Sequence, residues 1–359
     1  MIEIEGYLEK FQKGFGFLRK VENNFNAVDG DIYVPVNLIR KYRLDEGVFI
    51  KGIAEPANGK NKNPVLNEIQ KVNEHSLDEL HKIVSFKDLI SINPEDRLHL
   101  KLNDREFIGS VLDLFTPVGK GQRGLIVSPP KAGKTTILKH FALAITKNHP
   151  GTKIFVLLVD ERPEEVTDFK RSVPEAHVLS SSSDEKVDNH LRITRLVMGA
   201  AIKKMESGNN VVVLIDSLTR MGRAYNKKTN SGGRTLSGGL SANALDLPRR
   251  FFGAARNLEN GGSLTILATI LVDTGSRMDE IIFNEFKGTG NMDLILSQKC
   301  AEQRVWPAIN IKESGTRKEH LLLSDDELQK AMKIRQVLAS MNEVEAMRYL
   351  NQLHRDKSL

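Results

Sequence analysis

The stretch SPPKAGKT, residues 128–135, contains the residue types that bind the phosphates of a nucleotide. It follows the apolar run RGLIV and precedes a stretch with helical character, so it connects a strand to a helix. Backbone N–H groups at a helix N-terminus bind phosphate, Lys134 can reach the β- and γ-phosphates, and the Thr135 hydroxyl can bind Mg²⁺. The first position is Ser128 instead of the usual Gly, and a bare GKT is also compatible with an ordinary helix start.

Carboxylates at the ends of two other apolar runs strengthen this interpretation. NVVVLID ends on Asp216, and KIFVLLVDE ends on Asp160 and Glu161. At the tip of a buried strand, Asp216 can hold the Mg²⁺ shell, and a second acid can orient and deprotonate an attacking water. Such acids could instead cap the following helices. Three features of phosphate chemistry at successive strand ends nevertheless favour nucleotide hydrolysis, with ATP and Mg²⁺ as cofactors.

A second chemical signature lies near the start of the chain, where KGFGFLRK places Phe15 and Phe17 two residues apart. Alternate residues of a strand share a face, so both rings are expected on one side, with glycines that leave them uncovered. Exposed rings in this arrangement are typical of proteins that stack unpaired bases. The alternative is that one of the two rings belongs to a hydrophobic core.

Two domains must position these residues. Residues 1–75 contain short strands separated by Gly and Asn turns, which predicts a small all-β barrel. Residues 76–99 are a charged linker. From residue 100 to residue 359, apolar strands alternate with helices, which predicts an α/β fold with a mostly parallel sheet between helix layers and helices at the C-terminus. Ser324 and Glu327 predict a capping box at the start of one of them.

Composition excludes several classes of protein. Residues 1–75 hold eleven basic and eleven acidic residues, so any nucleic acid bound there is held by stacking and local geometry more than by bulk charge. The single cysteine, Cys300, excludes an intramolecular disulfide and a Cys-based zinc site. No apolar run approaches the roughly 18 residues that span a bilayer, and a signal-peptide pattern is absent. We therefore expect a cytoplasmic protein with no membrane partner.

Two polar loops carry one cation each. Residues 229–245 contain Arg234 among four glycines, and residues 272–280 contain Arg277. Loops of this kind on one side of a sheet suit a pore that follows a phosphate backbone. Composition alone leaves ordinary surface loops as an equal alternative.

The motifs GFGFLR, DIYV, PPKAGKT, DERPEEVT, DSLTR, RRFFGAARN, FKGTGNM and SGTRKE occur in order, and the chain resembles the Rho family of transcription termination factors from about residue 5 to residue 350. The resemblance implies an OB fold of the cold-shock type followed by a RecA-like P-loop ATPase domain. It also implies a homohexameric RNA-dependent ATPase and helicase. Such a ring translocates 5′ to 3′ on single-stranded RNA and releases the nascent transcript from RNA polymerase.

The resemblance further implies roles for individual residues. The catalytic residues would be Lys134, Glu161 as the catalytic carboxylate, Asp216 as the Walker B acid, and Arg317 as an arginine finger in the neighbouring subunit's site. The nucleotide would be bound by Pro130, Lys131, Ala132, Gly133, Lys134, Thr135, Thr136, Trp306, Arg162, Arg220 and Lys287. The metal ligands would be Thr135 and Asp216. The RNA would be bound by Phe15, Phe17, Arg19, Phe25, Arg234 and Arg277.

Some alternatives stay open. A lone Trp such as Trp306 is more often a core residue, and only the resemblance favours a position against adenine. Arg234 and Arg277 stand where the family more often has Lys, a change from a compact charge to a planar fork. A Rho-like RNA-binding ring or regulatory paralogue with weak or absent termination activity is the rival interpretation. A RecA-like DNA motor or a rotary ATPase subunit would leave the GFGFLR barrel without an explanation.

Overall fold

The computed structural model describes residues 1–57, 62–229, 239–241 and 243–359. Its first domain contains β1 Ile2–Lys10, β2 Gly16–Arg19, β3 Ile32–Val34, α1 Val36–Lys41, β4 Phe49–Glu55, β5 Val65–Val72 and β6 His75–Ser76. The strands are ordered β3-β2-β1-β4-β5-β6, and a further pairing between β3 and β5 at Tyr33 and Val65 closes the barrel. The predicted all-β barrel is confirmed.

The barrel closes around apolar side chains from alternate strand positions. Along β4, for example, Ile50, Gly52 and Ala54 are buried while their neighbours are partly exposed. Gly16 in GFGF is buried, and a Cβ there would lie 2.6 Å from Leu8 Cδ1. Gly16 is therefore required by the close approach of β1 on the core side, and the two Phe rings lie on the other face of β2.

The second domain contains a large sheet with helices on both faces and a small sheet formed by two short strands. Its strands are β9 Val118–Gly119, β10 Arg123–Ser128, β11 Lys153–Glu161, β12 His177–Ser182, β13 Asn210–Asp216, β14 Arg256–Leu258, β15 Ser263–Leu271, β16 Met292–Ile295 and β17 Gly315–Thr316. Its helices are α2 Phe107–Phe115, α3 Lys134–Asn148, α4 Pro163–Ser172, α5 Val187–Glu206, α6 Leu218–Thr229, α7 Asp246–Phe252, α8 Arg277–Phe286, α9 Gln298–Glu302, α10 Asp325–Leu338 and α11 Glu343–Arg355.

The strand order β12-β11-β13-β15-β10-β16 is parallel throughout, and β17 is added antiparallel at the edge. The carboxyl ends of parallel strands meet at one edge of a sheet, so the ends of β10, β11 and β13 form one site. The predicted α/β architecture is confirmed. The predicted capping box at Ser324 and Glu327 starts α10.

Residues 76–99 contain a 3₁₀ helix at Leu77–Lys82 and the short strands β7 Ser91–Ile92 and β8 Arg97–Leu98. β7 pairs antiparallel with β14, and β8 pairs with β9. The predicted linker therefore takes part in the sheets of the second domain. Within the described ranges, none of the helices combines the length and apolar character that crossing a membrane requires.

The two domains share a core. Tyr7 and Phe25 of the barrel belong to the apolar cluster formed by α5, α6 and one face of the large sheet. Tyr7 lies 6.3 Å from Phe155 of β11, measured between ring centroids. Lys204 of α5 lies over the rings of Tyr7 and Phe49, and burial, aided by nearby Lys153, lowers its pKa. The barrel is thus packed onto the large sheet and not merely tethered to it.

Candidate nucleotide and RNA sites

The phosphate-binding loop lies between β10 and α3. β10 ends at Ser128, and Gly133 is the N-cap residue of α3 with φ of +88°. That φ lies in the left-handed region, which favours Gly. Ala132 is buried and anchors the loop, so the backbone N–H groups of the helix N-terminus are held in place to bind phosphate. The predicted loop residues Pro130, Lys131 and Thr136 are exposed.

Lys134 lies between the two predicted carboxylates. Its Nζ is 2.7 Å from Asp216 Oδ2 and 3.5 Å from Glu161 Oε2. Thr269 Oγ1 donates a hydrogen bond of 2.8 Å to Asp216 Oδ1. The side chains of Glu161 and Asp216 are only 2% and 1% exposed. The ends of three strands and one helix therefore bring together two carboxylates and a cation, the types of group that take part in phosphoryl transfer.

Burial and charge set the protonation of this cluster. Burial raises the pKa of Glu161, and repulsion from Asp216 adds to that rise, against the opposing effect of Lys134 and Arg220. Burial alone would lower the pKa of Lys134, but Asp216 and Glu161 outweigh it and the pKa is raised. Lys134 is therefore held as a cation, whereas Glu161 has the raised pKa that suits a general base.

The oxygen donors near the loop suit Mg²⁺. In the part of the chain that the structure describes, the Thr135 hydroxyl has no hydrogen-bond partner, and the side chain is half-buried at the first turn of α3. Asp216 supplies a carboxylate at the end of β13. Mg²⁺ is bound in nucleotide sites through one or two such protein oxygens together with phosphate oxygens. Thr135 and Asp216 therefore fit the metal that the sequence predicts.

Two predicted nucleotide contacts, Trp306 and Lys287, lie beside the loop. A Cβ on Gly133 would lie 2.8 Å from Trp306 Cζ3, so the indole lies against the loop, and its side chain is 43% exposed. Trp306 is therefore not a core residue, and its ring is available to a flat ligand. Lys287 is exposed at the end of α8 and lines, with Pro129, a cavity of 850 Å³ beside the loop.

Arg220 and Arg162 differ in their surroundings. Arg220 Nη2 lies 3.1 Å from Glu161 Oε1, and its Nη1 donates to the carbonyl oxygen of Asp160. Arg220 is thus paired with Glu161, the predicted catalytic carboxylate. Arg162 is exposed at the start of α4. Among the described residues it forms no ion pair, so its guanidinium is directed to solvent beside the site.

Arg317 lies at the opposite end of the sheet from the loop. Its N–H donates to Asn291 O at 2.9 Å, and Asn291 N–H donates to Arg123 O at 2.9 Å. Arg123 is the first residue of β10, whereas the loop follows the last, and a strand of this length spans about 17 Å. The exposed Arg317 side chain therefore cannot reach the loop of its own chain.

Four aromatic rings form one partly exposed surface on the barrel. Phe15 and Phe17 lie 6.0 Å apart between centroids, and Tyr33 lies 5.6 Å and 5.7 Å from them. Phe11, which is 38% exposed, stacks on Phe15 at 5.2 Å with the ring planes 8° apart. Sequence reasoning missed Phe11 and Tyr33. The hairpin that pairs β1 with β2 and the register Phe17 to Tyr33 bring them together.

Two predicted RNA contacts are corrected by the structure. Phe25 is completely buried and packs edge-on against Tyr7 at 5.3 Å, because it belongs to the core between the domains. It offers no ring face to a base. Arg19 is 5% exposed and pairs with Glu9 and Asp31. Its guanidinium is held inside the barrel beneath Phe17, so it supports the aromatic surface and is not free to bind phosphate.

The two loop cations have different outcomes. Arg277 is exposed at the first turn of α8, whose N-cap is Ser276. It therefore projects from the same edge of the sheet as the phosphate-binding loop, because β15 ends just before it. Arg234 lies outside the described residues, and its role stays a prediction.

Comparisons with known proteins match this division. Residues 4–78 match the model of the Rho termination factor RNA-binding domain, and residues 109–316 match the nucleotide-binding domain of the ATP synthase alpha/beta family. An ATPase from the type III secretion system of pathogenic bacteria has a similar structure, with TM-score 0.64 and 20% identity over 83% of this chain and 89% of that chain. The latter likeness shows the fold alone.

Full-length relatives give the family. Transcription termination factor Rho of Haemophilus influenzae is 48% identical over 96% of this chain and 83% of that protein. Transcription termination factor Rho of Pseudomonas aeruginosa is 46% identical over 96% of this chain and 83% of that protein. Transcription termination factor Rho 1 of Ehrlichia chaffeensis is 46% identical over 99% of this chain and 84% of that protein. The chain, a P-loop ATPase with an RNA-binding barrel, therefore belongs to the Rho family of transcription termination factors.

Proposed function

We propose that this protein is an RNA-dependent ATPase that translocates 5′ to 3′ on single-stranded RNA and terminates transcription by releasing nascent RNA from RNA polymerase in the cytoplasm. The observation that carries the proposal is the position of Lys134 Nζ, 2.7 Å from Asp216 and 3.5 Å from Glu161, in a chain that also presents four aromatic rings on its barrel. In this proposal the nucleotide site supplies energy, and the aromatic rings of the barrel bind bases.

Each residue of the nucleotide site has a task in hydrolysis. Lys134 and the N-terminus of α3 bind the phosphates, and Glu161 orients and deprotonates the attacking water. Thr135 and Asp216 would hold Mg²⁺, which neutralises charge that develops on the phosphates when it is bound. Trp306 would stack on the adenine. Other predicted contacts of the nucleotide are Arg162, Arg220 and Lys287.

A ring of identical subunits would complete this site. Because about 17 Å of strand separates Arg317 from the loop of its own chain, the residue can act as an arginine finger only in a neighbouring chain. A homohexamer satisfies this requirement with equivalent contacts around a closed ring. Arg277 and Arg234 would then contact RNA in the central channel.

Replacing Lys134 with Ala is expected to lower the turnover number for ATP by about 10²–10³-fold, because it removes a positioned cation from the transferred phosphate. The matched control is Lys139→Ala, since Lys139 lies on the same helix but pairs with Asp168 outside the site. Steady-state hydrolysis of ATP measures both variants. RNA binding at the barrel should persist in each of them, and undiminished hydrolysis by Lys134→Ala would contradict the assignment.

Replacing Phe15 and Phe17 with Ala is expected to weaken binding of single-stranded RNA by about 1–3 kcal/mol per base that loses its stacking partner. Fluorescence anisotropy with a labelled pyrimidine oligomer measures the dissociation constant. The control is Val28→Ala, which removes another exposed apolar side chain of the barrel. Phe11→Ala tests whether the fourth ring belongs to the binding surface. An unchanged dissociation constant in the Phe15 and Phe17 variants would remove stacking from the proposal.

The function as a whole is tested by ATP hydrolysis with no polymer, poly(C), poly(U), poly(A) and single-stranded DNA of similar length. Stimulation by RNA but not by DNA is the expected result. Equal stimulation by every RNA would keep the motor and remove base selectivity. No stimulation by any RNA would favour a Rho-like RNA-binding ring with a regulatory role, and stimulation by DNA would favour a DNA motor.

A further inference from the structure

A buried network of ion pairs joins the aromatic surface of the barrel to α5 of the ATPase domain. Glu9 of β1 is 2% exposed and lies between two arginines. Its Oε2 accepts a hydrogen bond from Arg19 Nε at 2.5 Å, and its Oε1 accepts one from Arg192 Nε at 2.6 Å. Arg192 also donates to the carbonyl oxygen of Phe25. One buried carboxylate therefore connects a barrel strand to a helix of the other domain.

On the barrel side the network ends beneath the rings. The Arg19 guanidinium carbon lies 5.2 Å from the centroid of Phe17, and Asp31 pairs with the same guanidinium. A cation close to an aromatic face is attracted to it. The position of the Phe17 ring is therefore tied to the position of Arg19, and a base that stacks on Phe17 changes the surroundings of that cation.

On the ATPase side the network ends on α5, which packs against the strands that carry the proposed catalytic acids. α5 packs its buried face, which includes Ile193 and Val197, against β11 and β13. β11 ends at Glu161 and β13 ends at Asp216. A shift of Arg192 is therefore transmitted to the helix that supports both strands.

We propose that Glu9 and Arg192 are positioning residues that couple occupancy of the aromatic surface to ATP hydrolysis. Leaving a buried charge without its partner is strongly disfavoured, so Arg19 cannot move away from Glu9 unless Glu9 and Arg192 also adjust. Burial alone would raise the pKa of Glu9, but the hydrogen bonds and positive charges of Arg192 and Arg19 outweigh it, so the pKa is lowered and Glu9 stays charged. The inference rests on the proposed stimulation of hydrolysis by RNA, and the coupling must act in both directions.

The same helix offers a matched control. Arg195, one turn after Arg192, pairs its Nε with Glu46 Oε1 at 2.5 Å, and this pair also joins α5 to the barrel. The Arg195 side chain is 54% exposed, against 21% for Arg192. Neither Arg195 nor Glu46 contacts Arg19 or the four rings in the described structure. Loss of this pair tests attachment of the domains without touching the network.

The experiment compares Arg192→Gln with Arg195→Gln in the full chain. Hydrolysis of ATP is measured with and without poly(C), and binding of a labelled pyrimidine oligomer is measured directly. Arg192→Gln is expected to reduce the stimulation by poly(C) about fivefold or more, at unchanged basal hydrolysis, because that range is typical of coupling between sites. The affinity of Arg192→Gln for the labelled oligomer should change by a smaller factor than its stimulation by poly(C). Hydrolysis by Arg195→Gln should be stimulated by poly(C) as strongly as that of the wild type.

Further variants separate coupling from folding. Arg192→Lys keeps a charge beside Glu9 and is expected to recover most of the stimulation. The double variant with Glu9→Gln and Arg192→Gln should lose no more stimulation by poly(C) than the more affected of the two single variants. The reason is that the two residues act as a unit. Equal stimulation of Arg192→Gln, Arg195→Gln and wild type would overturn the inference alone. Absence of stimulation in the wild type would overturn the proposed function and this inference with it.

Discussion

Replacing Arg317 with Ala is expected to lower the turnover number for ATP by about 10³–10⁵-fold, the range by which an arginine finger accelerates phosphoryl transfer. The side chain is exposed and lies at the start of β16 and β10, far from the loop of its own chain. Its loss should therefore leave the P-loop cluster of that chain intact, and binding of nucleotide should be retained. The control is Lys318→Gln, which removes the adjacent exposed cation.

Mixing two inactive variants tests whether Arg317 acts between chains. A ring that contains both Arg317→Ala and Glu161→Gln subunits has interfaces at which an intact Glu161 faces an intact Arg317. Such mixtures are expected to regain hydrolysis that neither variant shows alone, with the mass of the assembly followed by light scattering. If mixed rings stay inactive while each variant still assembles and binds nucleotide, the role of Arg317 in the neighbouring site would be wrong.

Replacing Glu161 with Gln is expected to lower the turnover number by about 10²–10⁴-fold, the contribution of a positioned general base. Gln keeps the size of the side chain but cannot accept the proton of the attacking water. Glu164→Gln, on the exposed side of α4, is the control. Nucleotide affinity should be similar in all three proteins, and an active Glu161→Gln enzyme would assign the base elsewhere.

The raised pKa of Glu161 gives this prediction a pH dependence. Only the carboxylate form accepts a proton, so the rate should rise with pH through the pKa of Glu161. Because burial raises this pKa, the rise in rate should occur at a higher pH than for an ordinary Glu. Glu161→Gln should lose this acid limb. Because the folded pKa is above the unfolded one, ionisation of Glu161 lowers stability as pH rises through the folded pKa. The variant should therefore unfold at the same temperature as the wild type or higher at neutral pH.

The fold and the nucleotide site could be predicted because both depend on local signals. Strands buried on both faces are continuously apolar, and the predicted catalytic acids Asp216 and Glu161 are the last residues of two such strands. A phosphate-binding loop is a short contiguous segment, so the strand before it, Gly133 and Lys134 can be recognised together in the sequence. Parallel strands then bring such ends to one edge of a sheet without further information.

The RNA surface could be predicted only in part, because its rings come from different strands. Phe15 and Phe17 are two residues apart at the start of β2, but Phe11 and Tyr33 join them through the pairing of β2 with its neighbours. The four-residue spacing of Phe11 and Phe15 around the turn at Gly14 was an available hairpin signal. Phe25 has the same residue type as these rings, and nothing local distinguishes a stacking Phe from a core Phe.

By itself, the sequence determined the two-domain order, the chemistry of the P-loop cluster and the family. Motif spacing and apolar periodicity can be recognised without knowing which residues are in contact. Only the tertiary structure decided which charges are free. Arg19 forms ion pairs with Glu9 and Asp31 inside the barrel, and Arg192 connects the two domains. Arg317 lies far from the phosphate-binding loop of its own chain. The partner of a charged side chain is set by residues distant in the chain, here as many as 183 positions apart for Glu9 and Arg192, so burial and pairing follow from the packing of the domains.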